Sequence, residues 1–482
     1  MKLPDDSLDR VASSFDSLVL GDPRRTERLM LTVRRLAESP RSSIPEAMGS
    51  EAELEGAYRL LHNKHVTLEK LTAAYGDATA ARAREAECVL AIHDTTTCEF
   101  SHASPEDVGY LSTGKAGFMA HYSLVVAADG SRRPFGVAHV EALFRSRPPS
   151  RPSAKGRKER NVCGPNSAKN PERESLRWLR GFVLASERLK DCAVVHIADR
   201  EGDSYALFGG AIQRQLRFVI RARLGDRRAR LKDGSQGTVK ELARASEGVL
   251  TREVMLSRRN ASSAPREKKG HPPRDARVAQ LSFSATTVEL QKPRYLESLP
   301  ETVTLNMVHV HEEHAPEGED PIEWLLFTTE PVATSADIEA VVDMYRTRWL
   351  IEECNKALKT GCRYEDRQLE SREALLNLLA MTLPIACELL WLRSSCRTNP
   401  GQPARQVLTC VQLQILHALG SYKLPSEPTV HDALWAVASL GGHIRSNGEP
   451  GWLILHRGMA KLLAYEEGWL AREKVAGLSI SR

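Results

Sequence analysis

The sequence predicts an α/β protein in which helices pack on a mixed five-stranded sheet, with helical segments before and after that core. Three observations predict it. Two apolar runs each close on an aspartate, Cys88-Val89-Leu90-Ala91-Ile92-His93-Asp94 and Ala193-Val194-Val195-His196-Ile197-Ala198-Asp199. Between them, Tyr122–Ala128 and Phe135–Val140 flank Asp129-Gly130, the pattern of an antiparallel hairpin whose loop Ser131–Pro134 lengthens. The stretches from Leu8 to about Arg82 and beyond Leu369 show helical rather than alternating periodicity.

At 482 residues the chain has room for two or three domains, each with its own core. We place them at 1–82, 83–370 and 371–482. With 41% hydrophobic and 27% charged residues it reads as globular, and its net charge of +5 is mild. The basic residues cluster, so local patches point to a polyanionic partner more than the total does. Nine cysteines occur without a CxxC pair, several inside apolar runs. That pattern predicts reduced core cysteines of a cytoplasmic protein and argues against a disulfide frame or a zinc site. Met1-Lys2-Leu3-Pro4-Asp5-Asp6 lacks the apolar core of a signal peptide. The most apolar stretch, Leu375–Leu392, is interrupted by Asn377, Pro384 and Glu388, which predicts a buried helix and no membrane partner.

In the amino-terminal region, Asp22 suits a helix N-cap and Pro23 the first helical position. Arg24, Arg25 and Arg28 crowd the start of that helix, where they could meet phosphates or equally form solvated surface. After the hairpin comes a basic, proline-rich arm from Arg145 to about Lys169, with Arg147, Arg151, Lys155, Arg157, Lys158 and Arg160. Glu174–Leu189 reads as a helix leading into the strand that ends at Asp199. Strand with Asp, hairpin, helix, strand with Asp, and later a helix with Glu is the element order of an RNase H-like core. In that core the adjacent first and fourth strands bring the aspartates together.

Arg217–Arg221, Gln280–Leu290, Thr302–Val310 and Trp324–Thr328 are further strand-like runs, expected to form an inserted β subdomain at about 216–330, with Arg258–Arg277 as a long exposed loop. The carboxy-terminal helices are broken near Thr398-Asn399-Pro400-Gly401 and at Gly441-Gly442, and Trp435, Trp452 and Trp469 are expected to anchor their packing or an interface.

Tyr345, Arg348, Glu352 and Lys359 lie three, seven and fourteen positions from the first. At about 100° per residue they return to a sector of ~60° on one helix, with Leu350, Ile351, Cys354, Ala357 and Leu358 opposite. Taken alone this is an ordinary amphipathic helix. Two strand-borne aspartates and one helical glutamate are, however, the inventory of a site holding two Mg²⁺ or Mn²⁺ ions about 3.5–4 Å apart for phosphoryl transfer. Asp94, Asp199 and Glu352 would be its ligands; water as nucleophile would give hydrolysis and a DNA 3′-hydroxyl strand transfer. His309, His311 and His314 with Glu312 and Glu313 look metal-rich, but the closest histidines alternate on a strand and the spacing is not H-E-x-x-H, so a strand end entering an acidic loop is expected.

The Y-x2-R-x3-E-x6-K pattern of Tyr345–Lys359 resembles the Y-R-E-K signature of bacterial cut-and-paste DDE transposases, in particular the transposon five group. Leu20–Thr26, Glu55–Arg59, Ala91–Thr96, Asp199-Arg200-Glu201 and Trp324-Leu325-Leu326 resemble it too. The resemblance implies an amino-terminal domain binding transposon ends, an RNase H-like catalytic domain with a β insertion, and a helical dimerisation domain. It also implies metal-dependent nicking, hairpin formation and opening, and transfer to target DNA by a homodimer. By the same resemblance, Asp94, Asp199 and Glu352 form the metal-binding triad, and Tyr345, Arg348, Lys359 and Arg221 contact DNA near the cleaved end. Trp324 would stack on a flipped base. A related nuclease without strand transfer and a catalytically idle DNA-binding derivative are the rival readings.

Overall fold

The computed structural model describes residues 5–146, 174–223, 225–256, 258, 273–296, 298–398 and 400–477. The basic arm from Arg147 onward and most of the loop expected after Arg258 lie outside them. The strands, in chain order, are β1 (Cys88–Glu99), β2 (Gly117–Ala127), β3 (Pro134–Leu143), β4 (Ala193–Ala198), β5 (Arg217–Arg221), β6 (Arg228–Leu231), β7 (Gln236–Thr238), β8 (Leu250–Leu256), β9 (Arg277–Gln291), β10 (Thr302–Glu312) and β11 (Glu323–Thr328). The chain divides into two compact units. One comprises Cys88–Asp94 and Pro152–Arg348; the other comprises Met1–Glu87, Thr95–Arg151 and Trp349–Arg482.

In the first unit the strands run in the order β1-β4-β5-β11-β10-β9-β6-β7, with β8 beside β9. β1 and β4 pair in parallel, from Cys88 opposite Ala193 to Ile92 opposite Ile197, and β4 pairs in parallel with β5. Their unbroken apolar sequences follow from burial on both faces: Val89, Leu90, Ala91 and Ile92 are fully or almost fully enclosed. The strands after β5 form no detached sheet. β11 pairs antiparallel with β5, Leu326 opposite Arg221, so the inserted strands extend the same sheet. Arg277, expected to close a loop, is instead the first residue of β9, where its guanidinium binds the Glu312 and Glu319 carboxylates. Beneath the sheet, Phe182, Phe208, Phe218 and Phe327 share one core with the helices Arg177–Arg188 and Tyr205–Ile212. Asp203 is enclosed beside this core, paired with Arg227 at 2.6 Å and accepting the Arg223 amide at 2.6 Å.

The second unit holds the helices Asp5–Ser13, Pro23–Glu38, Glu51–Leu61 and Leu68–Ala83, the β2–β3 hairpin, and the helices from Trp349 onward. Asp22 caps its helix by accepting the Arg24 amide at 3.0 Å, and Pro23 occupies the first turn. One described helix, Arg372–Ser394, is long and apolar enough to cross a membrane, and 78% of its most apolar window is buried. Asn377, polar in the middle of that stretch, donates to the Leu61 and Val66 carbonyls at 2.9 and 2.8 Å, contacts available to a helix packed inside protein. Trp452 donates to Glu353 on the helix Trp349–Lys356 and so braces helix packing; Trp435 donates to His431 within its own helix, Val430–Leu440, and Trp469 is 41% exposed. None of the seven cysteines whose side chains are described forms a disulfide.

Candidate active site

In the first unit, Asp94 and Asp199 each follow by two residues the last paired positions of neighbouring parallel strands, Ile92 and Ile197. The register therefore sets both carboxylates at the same level of the sheet, and both residues are half-buried. Asp199 also accepts the Glu201 amide at 2.8 Å, which fixes its carboxylate at the head of a short helical turn.

The two strands are tied together just behind the aspartates. His93 Nε2 and His196 Nδ1 lie 2.9 Å apart, and His196 Nε2 meets Ser186 Oγ at 2.7 Å. Phe182 stacks on His196 with ring centroids 4.4 Å apart. Burial pushes His196 down to about 3, so it is neutral at pH 7 and can serve as both donor and acceptor. Sequence reasoning did not single out this pair; a histidine one position before the first aspartate and three before the second was its only signal.

Tyr345, Arg348, Arg221 and Trp324 assemble in the same unit. The Arg221 guanidinium lies 5.5 Å over the Trp324 ring, and Tyr345 meets that indole edge-on at 5.4 Å. Trp324 is half-buried and Tyr345 only 5% exposed, so the phenol expected to face a ligand is largely covered. Burial raises the Tyr345 phenol, Arg221 and Arg348 pull it down, and Asp199 pushes it up. Burial in turn lowers the Arg221 guanidinium, with Arg200 and Arg348 adding to the effect and Tyr345 opposing it. Three arginines, a phenol and an aspartate thus interact electrostatically at one place, the charge pattern of a phosphate site next to a carboxylate.

Glu352 and Lys359 fall in the second unit. The expectation of one regular helix from Tyr345 to Lys359 is corrected here. A helix Ser335–Thr347 ends where the Arg348 amide closes back on the Tyr345 carbonyl at 3.0 Å; a second helix runs Trp349–Lys356, and Ala357–Gly361 forms a π turn. Packing accounts for the wide turn. Ala357 and Cys362 are both fully buried, and the Cys362 amide reaches the Ala357 carbonyl five residues back, turning both inward. Leu350, Ile351, Cys354 and Leu358 are buried as expected. The segment around Glu352 is clamped on either side. Glu353 binds Arg393 at 2.5 Å, Lys356 at 3.1 Å and the Trp452 indole N–H at 3.3 Å, while Tyr122 donates to Asn355 at 2.6 Å.

The three amino-terminal arginines separate. Arg24 is 88% exposed beside Asp22. Arg25 donates to the Leu20 carbonyl at 2.8 Å, and Arg28 crosses Gly56 to donate to the Ala52 carbonyl at 3.1 Å. Gly56 leaves that path open: a Cβ there would fall 1.6 Å from Arg28 Nη1.

No group of three or more His, Cys, Asp or Glu side chains arranged to hold a metal ion occurs among the described residues. The donor chemistry is nevertheless that of a hard divalent cation, since Asp94 and Asp199 present two carboxylates at one level. His309 and His311 stack at 4.7 Å on β10, with His309 only 3% exposed and Glu312 committed to Arg277, as a strand end would have it.

Two aspartates at one level of adjacent strands, with an arginine cluster in the same unit, have the chemistry a phosphoryl-transfer site on a polyanion would need. The family comparisons narrow that reading. Residues 9–66 match the family described as Transposase DNA-binding, and residues 182–386 match the Transposase DDE domain. The two matches support a DDE transposase that binds DNA. The first match spans Arg24, Arg25 and Arg28. The second spans Asp199, Arg221, Trp324, Tyr345, Arg348, Glu352 and Lys359, and Asp94 precedes it.

Proposed function

We propose that this chain is a cut-and-paste DNA transposase of the Y-R-E-K, transposon five type, acting on inverted-repeat ends and a target DNA as a homodimer in the cytoplasm. The observation that carries the reading is the level placement of Asp94 and Asp199 on neighbouring parallel strands. We assign residues 1–82 to end binding, 83–370 to catalysis and 371–482 to dimerisation. Tyr465, Trp469 and Leu470, each 41–45% exposed on the last helix, suit apolar contact with a second copy.

Asp94, Asp199 and Glu352 are the proposed ligands of two Mg²⁺ ions, for which Mn²⁺ can substitute. When bound, the ions would activate the attacking oxygen and stabilise the leaving one. Arg221, Arg348, Lys359 and the Tyr345 phenol are proposed to offset the phosphate charge of the cleaved end, and Arg24 adds a contact from the amino-terminal helix. Trp324 offers its indole to a base turned out of the stack.

Incubating the protein with Mg²⁺ and DNA carrying the inverted repeats that flank its gene tests this reading. Nicked, hairpin and joined products should appear in that order. Binding without cleavage would make the chain an idle DNA-binding derivative, and nicking without joining would make it a nuclease.

A further inference from the structure

The contacts of Lys359 say more than its place in the signature. They lie wholly within the second unit. The Lys359 side chain leaves the π turn, is 26% exposed, donates to the Thr97 carbonyl near the end of β1, and faces Glu365 Oε1 at 3.2 Å. The same carboxylate oxygen accepts the Glu99 amide at 3.0 Å, and the Glu99 carboxylate is held by Lys115 at 2.5 Å. Glu365 is also placed by its own backbone. Tyr364 beside it is fully buried, donates to the Leu375 carbonyl at 2.7 Å and meets Phe100 edge-on at 5.7 Å.

We infer that Glu365 is a positioning residue for Lys359: together with the Thr97 carbonyl it fixes the ammonium for a DNA phosphate and offsets its charge until DNA arrives. A lysine stem is long and loses much rotamer freedom when held. Holding it beforehand moves that cost out of the binding step. An ammonium has three donors, so contacts with Thr97 and Glu365 leave capacity for a phosphate oxygen. The inference rests on the assignment of Lys359 to DNA made above.

Two effects of opposite sign follow for Glu365→Gln, which keeps an acceptor for the Glu99 amide and removes the charge. One cation is unmasked, so binding to a mixed-sequence duplex should tighten and its log K against log salt slope should steepen by about 0.9. The ammonium is also loosened, so nicking of end DNA at saturating protein should slow roughly 10- to 100-fold. A purely structural defect would lower both together. Glu365→Asp, which keeps the charge but draws it back, should retain the salt slope and still slow nicking.

The test uses the full chain, with a thermal melt of each variant. Amine acylation of Lys359, followed by mass spectrometry without DNA, should rise severalfold in Glu365→Gln, and Lys359→Ala/Glu365→Gln should behave as Lys359→Ala alone. Unchanged acylation, or independent effects in the double variant, would overturn the inference while leaving the function standing. Lys359→Ala with wild-type salt slope and nicking, and no protection of Lys359 by DNA, would instead remove Lys359 from the DNA contacts and the inference with it.

Discussion

Replacing Trp324 with alanine separates the steps of the proposed reaction. Trp324 is half-buried, so the cost of truncation follows from its contacts rather than from a core cavity. It loses the Arg221 cation over its ring, worth about 0.5–1 kcal/mol, and the Tyr345 edge contact, worth about 0.5–1.5 kcal/mol. A loss of about 1–2.5 kcal/mol leaves a domain of ordinary stability folded at 25 °C. The first nick exposes a 3′-hydroxyl without extruding a nucleotide and should proceed. Attack of that hydroxyl on the opposite strand needs a tight hairpin, and loss of stacking worth about 1–3 kcal/mol should slow it roughly 5- to 150-fold. Denaturing gels of end-labelled DNA, run beside a thermal melt, measure nick, hairpin and folded fraction in one experiment. Hairpin yield falling only in step with nicking would refute base stacking by Trp324.

Asp94→Asn, Asp199→Asn and Glu352→Gln should each abolish Mg²⁺-dependent nicking and spare gel-shift affinity; near-normal nicking by any one removes that residue from the triad. Arg24→Ala should reduce the salt slope of end binding by about 0.9, whereas Arg28→Ala, which breaks the bond to Ala52 across Gly56, should mainly cost about 0.5–1.5 kcal/mol in urea unfolding. His196 has a folded pKa near 3, below the ordinary value of 6.5, so the unfolded chain binds the extra proton first. Its contribution to stability is then complete above about pH 6.5 and shrinks as pH falls toward 3, by at most about 1.4 kcal/mol per pH unit. Urea unfolding at pH 7 and pH 5 should show that loss in the wild type and less of it in His196→Gln; equal losses would clear His196 of responsibility.

Much of the sheet in the first unit was legible because its parallel strands are buried on both faces, a burial that demands unbroken apolar runs such as those ending in Asp94 and Asp199. The hairpin and the Asp22 cap were legible for local reasons, since turn and cap chemistry sit within a few residues. What remained hidden depends on partners far away in sequence. That β11 would extend the sheet from β5 is a matter of edge pairing, which strand composition does not specify. The union of His93 with His196, the enclosure of Asp203 by Arg227 and the route of Arg28 over Gly56 each join segments from 24 to 103 residues apart. A period of 100° per residue also presumes an unbroken α-helix, and burial of both Ala357 and Cys362 violates it.

That π turn bears on how the chain tolerates changes of length. In a regular helix, deleting one residue swings everything downstream by about 100°. Between Ala357 and Gly361 the chain already carries the equivalent of one residue too many for an α-helical turn. A single deletion there can be absorbed by closing the wide turn to an ordinary one, leaving the long helix from Arg372 in phase with its surroundings, while the ammonium of Lys359 would be carried off Thr97 and Glu365. Folding and chemistry would therefore part company at this one turn: its slack is expendable to the architecture and indispensable to the placement of a charge.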